Sequence, residues 1–209
     1  MVKATKTADR RQHLRETLIT AAERTIAAEG LGALRARDLA ETAGCAVGAI
    51  YNVVADLDEL ILLVNSRTFA ALERRLVKAV PADVPPPASP AEAMERLVTL
   101  SLAYMDFAAA NTARWRAIFE HRLPAGTDIP EWYAAEQRRL FNYVEGPLRV
   151  LQPEASAERL AMLARTIVSA VHGIVTLGLE EKLQPLSRAA LREQVTFVVS
   201  AIGKGLAER

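Results

Sequence analysis

The side chains that could do chemistry in this sequence begin between Leu31 and Leu60. Two short runs of helical apolar spacing flank Gly44, with Leu39 and Ala40 on the inner face of the first and Ile50 on that of the second. Val47, Gly48, Ala49, Tyr51 and Asn52 are left facing outward. Small side chains allow close approach, the Asn52 carboxamide can donate and accept at an adenine edge, and Tyr51 can reach a phosphate or a thymine methyl. Upstream, Lys3, Lys6, Arg10, Arg11 and Arg15 stand against Asp9 alone. Such an arm can neutralise phosphates and release their counterions, although a solvated, frayed terminus explains it equally well. Arg35 and Arg37 add two cations beside the first run.

A second group is aromatic: Tyr104, Phe107, Trp115, Phe119, Trp132, Tyr133, Phe141 and Tyr143. Most such residues in a small helical domain pack the core. The rest suit a largely apolar pocket with few polar handles, the usual build of a small-molecule site.

Catalysis has little to stand on. His13, His121 and His172 are far apart and lack a Glu-x-x-His companion. His172, next to Gly173 on an apolar segment, reads more readily as a satisfied core histidine than as a catalyst. One cysteine, Cys45, excludes an internal disulfide framework and a Cys-rich metal site. Neither a Gly-rich phosphate loop nor a nucleophile elbow occurs. The expectation is a non-enzyme with no cofactor and no metal.

The elements that position these residues are all helical. Apolar residues recur at helical spacing almost throughout, and nothing reads as strand. Three short helices precede six others, about nine in all. The first carries Leu14, Leu18, Ala22 and Ile26 on one stripe and stops at Gly30. Two short helices follow, about 35–43 and 47–53. Asp56 and Glu59 then cap a long helix to about Val80. The proline-rich stretch 81–90 breaks it, and Ser89-Pro90-Ala91-Glu92 opens the next. Further helices fit 90–110, 112–122, 130–151, 155–181 and 188–207.

The most apolar stretch, 161–179, holds Arg165 and His172 near its middle, which suits a soluble helix better than a membrane span. No signal peptide opens the chain. A soluble, cytoplasmic protein without membrane attachment is expected.

The region from Ala21 to Leu60 resembles the N-terminal domain of the TetR family of bacterial repressors. Ala21-Ala22, Gly30, Asp38-Leu39-Ala40, Ala43-Gly44, Gly48, Ile50-Tyr51 and Glu59-Leu60 carry the likeness in order and spacing. Val171-His172-Gly173 is similar to the Trp-His-Gly segment of one class of TetR C-terminal domains, with Val replacing Trp.

The resemblance implies a helix-turn-helix DNA-binding domain over 1–55 and a ligand-binding and dimerisation domain over 56–209, linked by the long helix 56–80. DNA contacts are expected from Arg10, Arg11, Arg35, Arg37, Val47, Ala49, Tyr51 and Asn52. A small-molecule pocket is implied between the long fourth helix and helices five to eight, with Tyr104, Phe107, Trp115, Phe119 and His172 as candidates. The last two helices carry more apolar surface than one inner face requires. The family implies an intersubunit four-helix bundle there, with Leu163, Ile167, Val171, Ile174, Val195, Val198 and Ile202 at the homodimer interface.

Departures from the family pattern bear on DNA binding. Leu34 stands where a phosphate-contacting Thr is usual, Ala46 where a capping Ser is usual, and Leu57 where Lys is frequent. Aromatic residues common near Val53 and Val54 are missing. Each lost cap costs about 1 kcal/mol. The expected function is a regulator, a repressor by family habit, that binds a palindromic operator as a dimer and is released by a largely apolar effector. The alternative is a helical ligand-binding or interaction protein with a weakened DNA-binding domain.

Overall fold

The structure, a computed structural model, describes residues 2–81, 83–180 and 186–208, with side chains from Thr7 onward. The side chains of Lys3 and Lys6 therefore lie outside the described residues. Among the described residues there are nine α-helices, one 3₁₀ turn and no strand. They are α1 (Val2–Glu29), the turn Leu31–Ala33, α2 (Ala36–Thr42), α3 (Val47–Ile50), α4 (Leu57–Ala79), α5 (Pro90–Ala110), α6 (Thr112–Glu120), α7 (Glu131–Leu151), α8 (Ala157–Leu179) and α9 (Arg188–Ala207). The all-helical expectation holds, with two local differences. The first of the three leading helices is long, 28 residues. The second of the two short helices, α3, stops at Ile50 rather than Val53, leaving Tyr51 and Asn52 in the turn that follows.

The helices fall into two compact units, Met1–Thr68 with Asn111–Tyr133 and Phe69–Ala110 with Ala134–Arg209. In the first, Leu18, Ala22 and Ile26 form the buried stripe of α1. They join one core with Leu39, Ala40, Ile50, Val54, Leu60, Val64 and Ala117. Each fully buried large aliphatic contributes roughly 1.5–3 kcal/mol before entropy is charged against it. Two glycines make the turns this core needs. Gly30 (φ 85°) ends α1 and Gly44 (φ 64°) separates α2 from α3, and both adopt the left-handed region that other L-residues avoid.

α4 opens with a capping box. Asp56 Oδ1 accepts from the Glu59 N–H at 2.7 Å. Glu59 Oε2 in turn accepts from the Ala55 N–H at 2.6 Å.

In the second unit α5, α8 and α9 pack on one another. The contact surfaces are Leu97 and Met105 of α5, Leu160, Ile167, Val171 and Val175 of α8, and Leu191, Val195 and Val199 of α9. α5 is capped as the sequence implies, with Ser89 Oγ accepting from Glu92 N–H at 3.2 Å and Glu92 accepting from Ala88 N–H at 2.9 Å. Ser156 and Ser187 cap α8 and α9 by accepting from the Arg159 and Ala190 N–H groups, without a reciprocal carboxylate. Among the described residues α8 is long and apolar enough to cross a membrane, but its apolar stripe is taken up by α5 and α9.

Candidate functional site

α2 and α3 meet through Leu39, Ala40 and Ile50 and present the opposite face to solvent. Val47, Gly48, Tyr51 and Asn52 are exposed there, Tyr51 to 49%, while Ala49 is half-buried. A surface of small residues ending in a phenol and a carboxamide can approach a groove and read it by hydrogen bonds.

The arginines expected at phosphates divide into two kinds. Arg10 and Arg37 are exposed. Arg11 and Arg35 are already engaged with main-chain carbonyls. Arg11 Nη2 donates to the Asn52 carbonyl at 2.6 Å. One turn along α1, Arg15 Nε donates to the Val53 carbonyl at 3.2 Å, and its Nη2 pairs with Glu59 at 3.1 Å. Both carbonyls lie in the segment that joins α3 to α4, so the two arginines tie α1 to that segment. Arg35 Nη1 donates to the Gly32 and Leu34 carbonyls at 2.7 and 2.9 Å, fixing the loop before α2. Arg15, expected in the basic arm, and Glu59, expected in the cap of α4, are thus positioning residues for the turn after α3. Their signal was the i, i+4 spacing of Arg11 and Arg15 on α1.

The missing caps have a structural counterpart. Arg35 and Ala46 occupy the N-cap positions of α2 and α3, and neither gives a side-chain cap. Leu34, where a capping Thr is usual, sits one residue before the N-cap and is 7% exposed, so it serves the core.

The five ligand candidates separate into two groups. Trp115 and Phe119, in the first unit, stack edge to face with centroids 5.6 Å apart. Tyr104, Phe107 and His172 belong to the second unit. There the Tyr104 hydroxyl is 2.8 Å from His172 Nδ1, and Thr176 Oγ1 is 3.2 Å from His172 Nε2. Burial lowers the His172 pKa below the ordinary histidine value. A neutral imidazole offers one donor and one acceptor, and the two hydroxyls can match either tautomer. Tyr104, His172 and Thr176 are all half-buried, Phe107 fully. Thr176 is a further member of this group, and its i+4 spacing from His172 on one helix is the sequence signal for it.

Four of the residues expected at the dimer interface, Leu163, Ile167, Val171 and Val195, fill the chain's own core. Their burial lies within the second unit, where α5, α8 and α9 pack on one another. Ile174, Val198 and Ile202 are half-buried. The exposed large apolar residues of α8 and α9 are Met162, Leu177 and Phe197, the last to 73%. Beside them Ala170, Gly173, Ile174, Leu177 and Leu186 line an open apolar groove of about 600 Å³.

A family model, described as the tetracyclin repressor-like C-terminal domain, matches residues 97–201. Solved structures share the fold over nearly the whole chain. A protein of unknown function from Rhodococcus sp. RHA1 is 22% identical, covering 93% of this chain and 95% of its own, with a TM-score of 0.70. RolR, solved in complex with resorcinol, is 17% identical and covers 97% and 96%, with a TM-score of 0.63. The TetR family transcriptional regulator PfmR from Thermus thermophilus is 17% identical and covers 91% and 97%, with a TM-score of 0.55. No curated protein matches the chain by sequence.

Proposed function

The chain belongs to the tetracyclin repressor-like, or TetR, family, and on that premise we propose that it is a dimeric repressor that binds a palindromic operator and is released by a small, largely apolar effector. The observation that carries this reading is the exposed face of α3 and its following turn, Val47, Gly48, Tyr51 and Asn52, held at its C-terminal end by Arg11 and Arg15. Two such faces, one from each protomer, meet two half-sites about 34–36 Å apart on the same side of a duplex. Exposed Arg10 and Arg37 supply phosphate contacts. Residues 1–55 read DNA, and 56–209 bind effector and dimerise.

The effector meets Phe107 as apolar wall and the Tyr104–His172–Thr176 chain as polar handle. A neighbour of the same fold was solved with resorcinol, which supports a small ring bearing hydroxyls as the class of ligand here. Release follows if the effector prefers a state in which the two α3 helices are wrongly spaced, because binding then shifts the population away from DNA. Met162, Leu177 and Phe197, with Ile174, Val198 and Ile202, provide the partner surface.

The test is selection of fragments from the source genome on immobilised protein at low salt, followed by salt titration of a retained fragment. Specific retention with a steep salt dependence supports the reading. The uncapped starts of α2 and α3 favour one rival, a ligand-binding protein whose DNA-binding domain is weakened. Ligand binding without fragment retention would establish that rival.

A further inference from the structure

Asp106 of α5 is shared by three arginines from two other helices, all within the second unit. Arg75 Nη2 of α4 lies 3.1 Å from Asp106 Oδ2. Arg188 Nη2 and Arg192 Nη1 of α9 lie 2.9 and 3.0 Å from Oδ1. Among the described residues no other carboxylate pairs with any of the three. The cluster thus holds three positive charges against one negative.

A structural ion pair needs one guanidinium per carboxylate, and the second and third repel the first. Each guanidinium carries five N–H donors in a planar fork. Asp106 engages one nitrogen of each. The carboxylate is largely enclosed, at 16% exposure, while Arg188 is open to 64%. Arg75 and Arg192 are each 42% exposed as well, so all three arginines are more open to solvent than the carboxylate they share. Burial alone would raise the Asp106 pKa, but hydrogen bonds and charge from Arg188 and Arg192 outweigh it and hold the group ionised. Arg188 and Arg192 also occupy the first two turns of a 20-residue helix, whose dipole adds positive potential at that end.

We propose that Arg75, Arg188 and Arg192 form a binding site for a phosphate-bearing dianion, a phosphomonoester or pyrophosphate group, with Asp106 as the residue that holds the guanidiniums in place. The excess of two charges matches a dianion, and the planar forks match phosphate oxygens in bidentate fashion. The site does not depend on DNA binding. A free phosphorylated metabolite and a phosphate-bearing lipid headgroup present the same chemistry.

Calorimetric titration with inorganic pyrophosphate, at ionic strength held constant with chloride, tests the soluble source. Sedimentation with phosphatidylcholine vesicles, with and without phosphatidic acid, tests the lipid source. Arg188→Gln and Arg192→Gln should each weaken whichever binding is seen about tenfold, the loss of one charge-assisted hydrogen bond, with wild-type helical circular dichroism. Soluble binding lost in the variants assigns a free anion, and vesicle binding alone, similarly lost, assigns a headgroup. Absence of both in the wild type overturns the proposal without reference to any variant. Binding that is unchanged in both folded variants overturns it equally.

Discussion

Arg11 of α1 donates to the main-chain carbonyl of Asn52 across 2.6 Å, so a residue of the basic arm holds the residue best suited to read a base. The bond joins α1 to the turn after α3, between residues that are 41 apart in sequence. It gives Arg11 and Arg10 different work, although they are adjacent and chemically identical.

Arg10→Ala should leave folding unchanged and shallow the salt slope of DNA binding by about 0.9, the loss of one phosphate contact. Arg11→Ala should instead lower stability by about 1 kcal/mol, since an exposed charge-assisted bond to a carbonyl is lost. It should weaken DNA binding through a loosened turn after α3. Denaturant titration and salt-dependent binding on both variants separate the two roles. Identical behaviour of the two variants would remove the positioning role of Arg11.

The missing caps make a paired prediction. Ala46→Ser should restore an acceptor at the N-cap of α3 and stabilise the protein by about 1 kcal/mol. Leu34→Thr, the other change toward the family pattern, should destabilise by roughly 2–4 kcal/mol, because it hollows the core at a buried leucine. Urea midpoints for the two variants should move in opposite directions, and a neutral Leu34→Thr would contradict the packing described.

Much of this fold was legible before the structure. Ser89 with Glu92 and Asp56 with Glu59 set helix starts through local hydrogen bonds, and local bonds are written in local sequence. Gly30 and Gly44 marked the turns because few other residues adopt their φ. The partners of Arg11, Arg15 and Arg35 were not legible, since a guanidinium at a carbonyl and one awaiting a phosphate have the same sequence. Nor could periodicity divide the broad apolar surface of α8 into a side facing its own chain and a side facing outward. That division assigns Leu163, Ile167 and Val171 to the core. Phe197 is not among the residues expected at the interface, and only its exposure draws attention to it.

That division predicts contrasting variants of α9. Phe197→Glu should leave each protomer folded, since the ring is 73% exposed, yet shift a dimer toward monomer. Val195→Glu should unfold the chain, because a charge without a partner is costly at a fully buried site. Light scattering at micromolar concentration with circular dichroism reads both effects. A Phe197→Glu protein that stays as dimeric as the wild type would move the partner surface elsewhere.

Acid should destabilise the protein in a definite window. His121 and His172 both have pKa values lowered from 6.5, chiefly by burial, with Asp58 and Asp56 opposing the shift at His121. Each group therefore binds its proton more readily when unfolded. Stability from this source is complete above about pH 6.5 and falls as pH drops through the unfolded value toward the folded ones. Each histidine contributes a slope of at most about 1.4 kcal/mol per pH unit. His172→Gln should flatten the slope of stability against pH below about 6.5. An unchanged slope would remove His172 as a source.

Whether the α3 surface reads DNA is decided by footprinting a genomic fragment retained by the wild-type protein. Two protected half-sites should appear, related by a two-fold axis and about 10–10.5 base pairs apart, or a multiple of that spacing. Asn52→Ala should reduce discrimination against base changes within a half-site while keeping most of its affinity for random duplex. Failure to retain any fragment at low salt, or a footprint whose base preference is unaltered in Asn52→Ala, would contradict that role for α3.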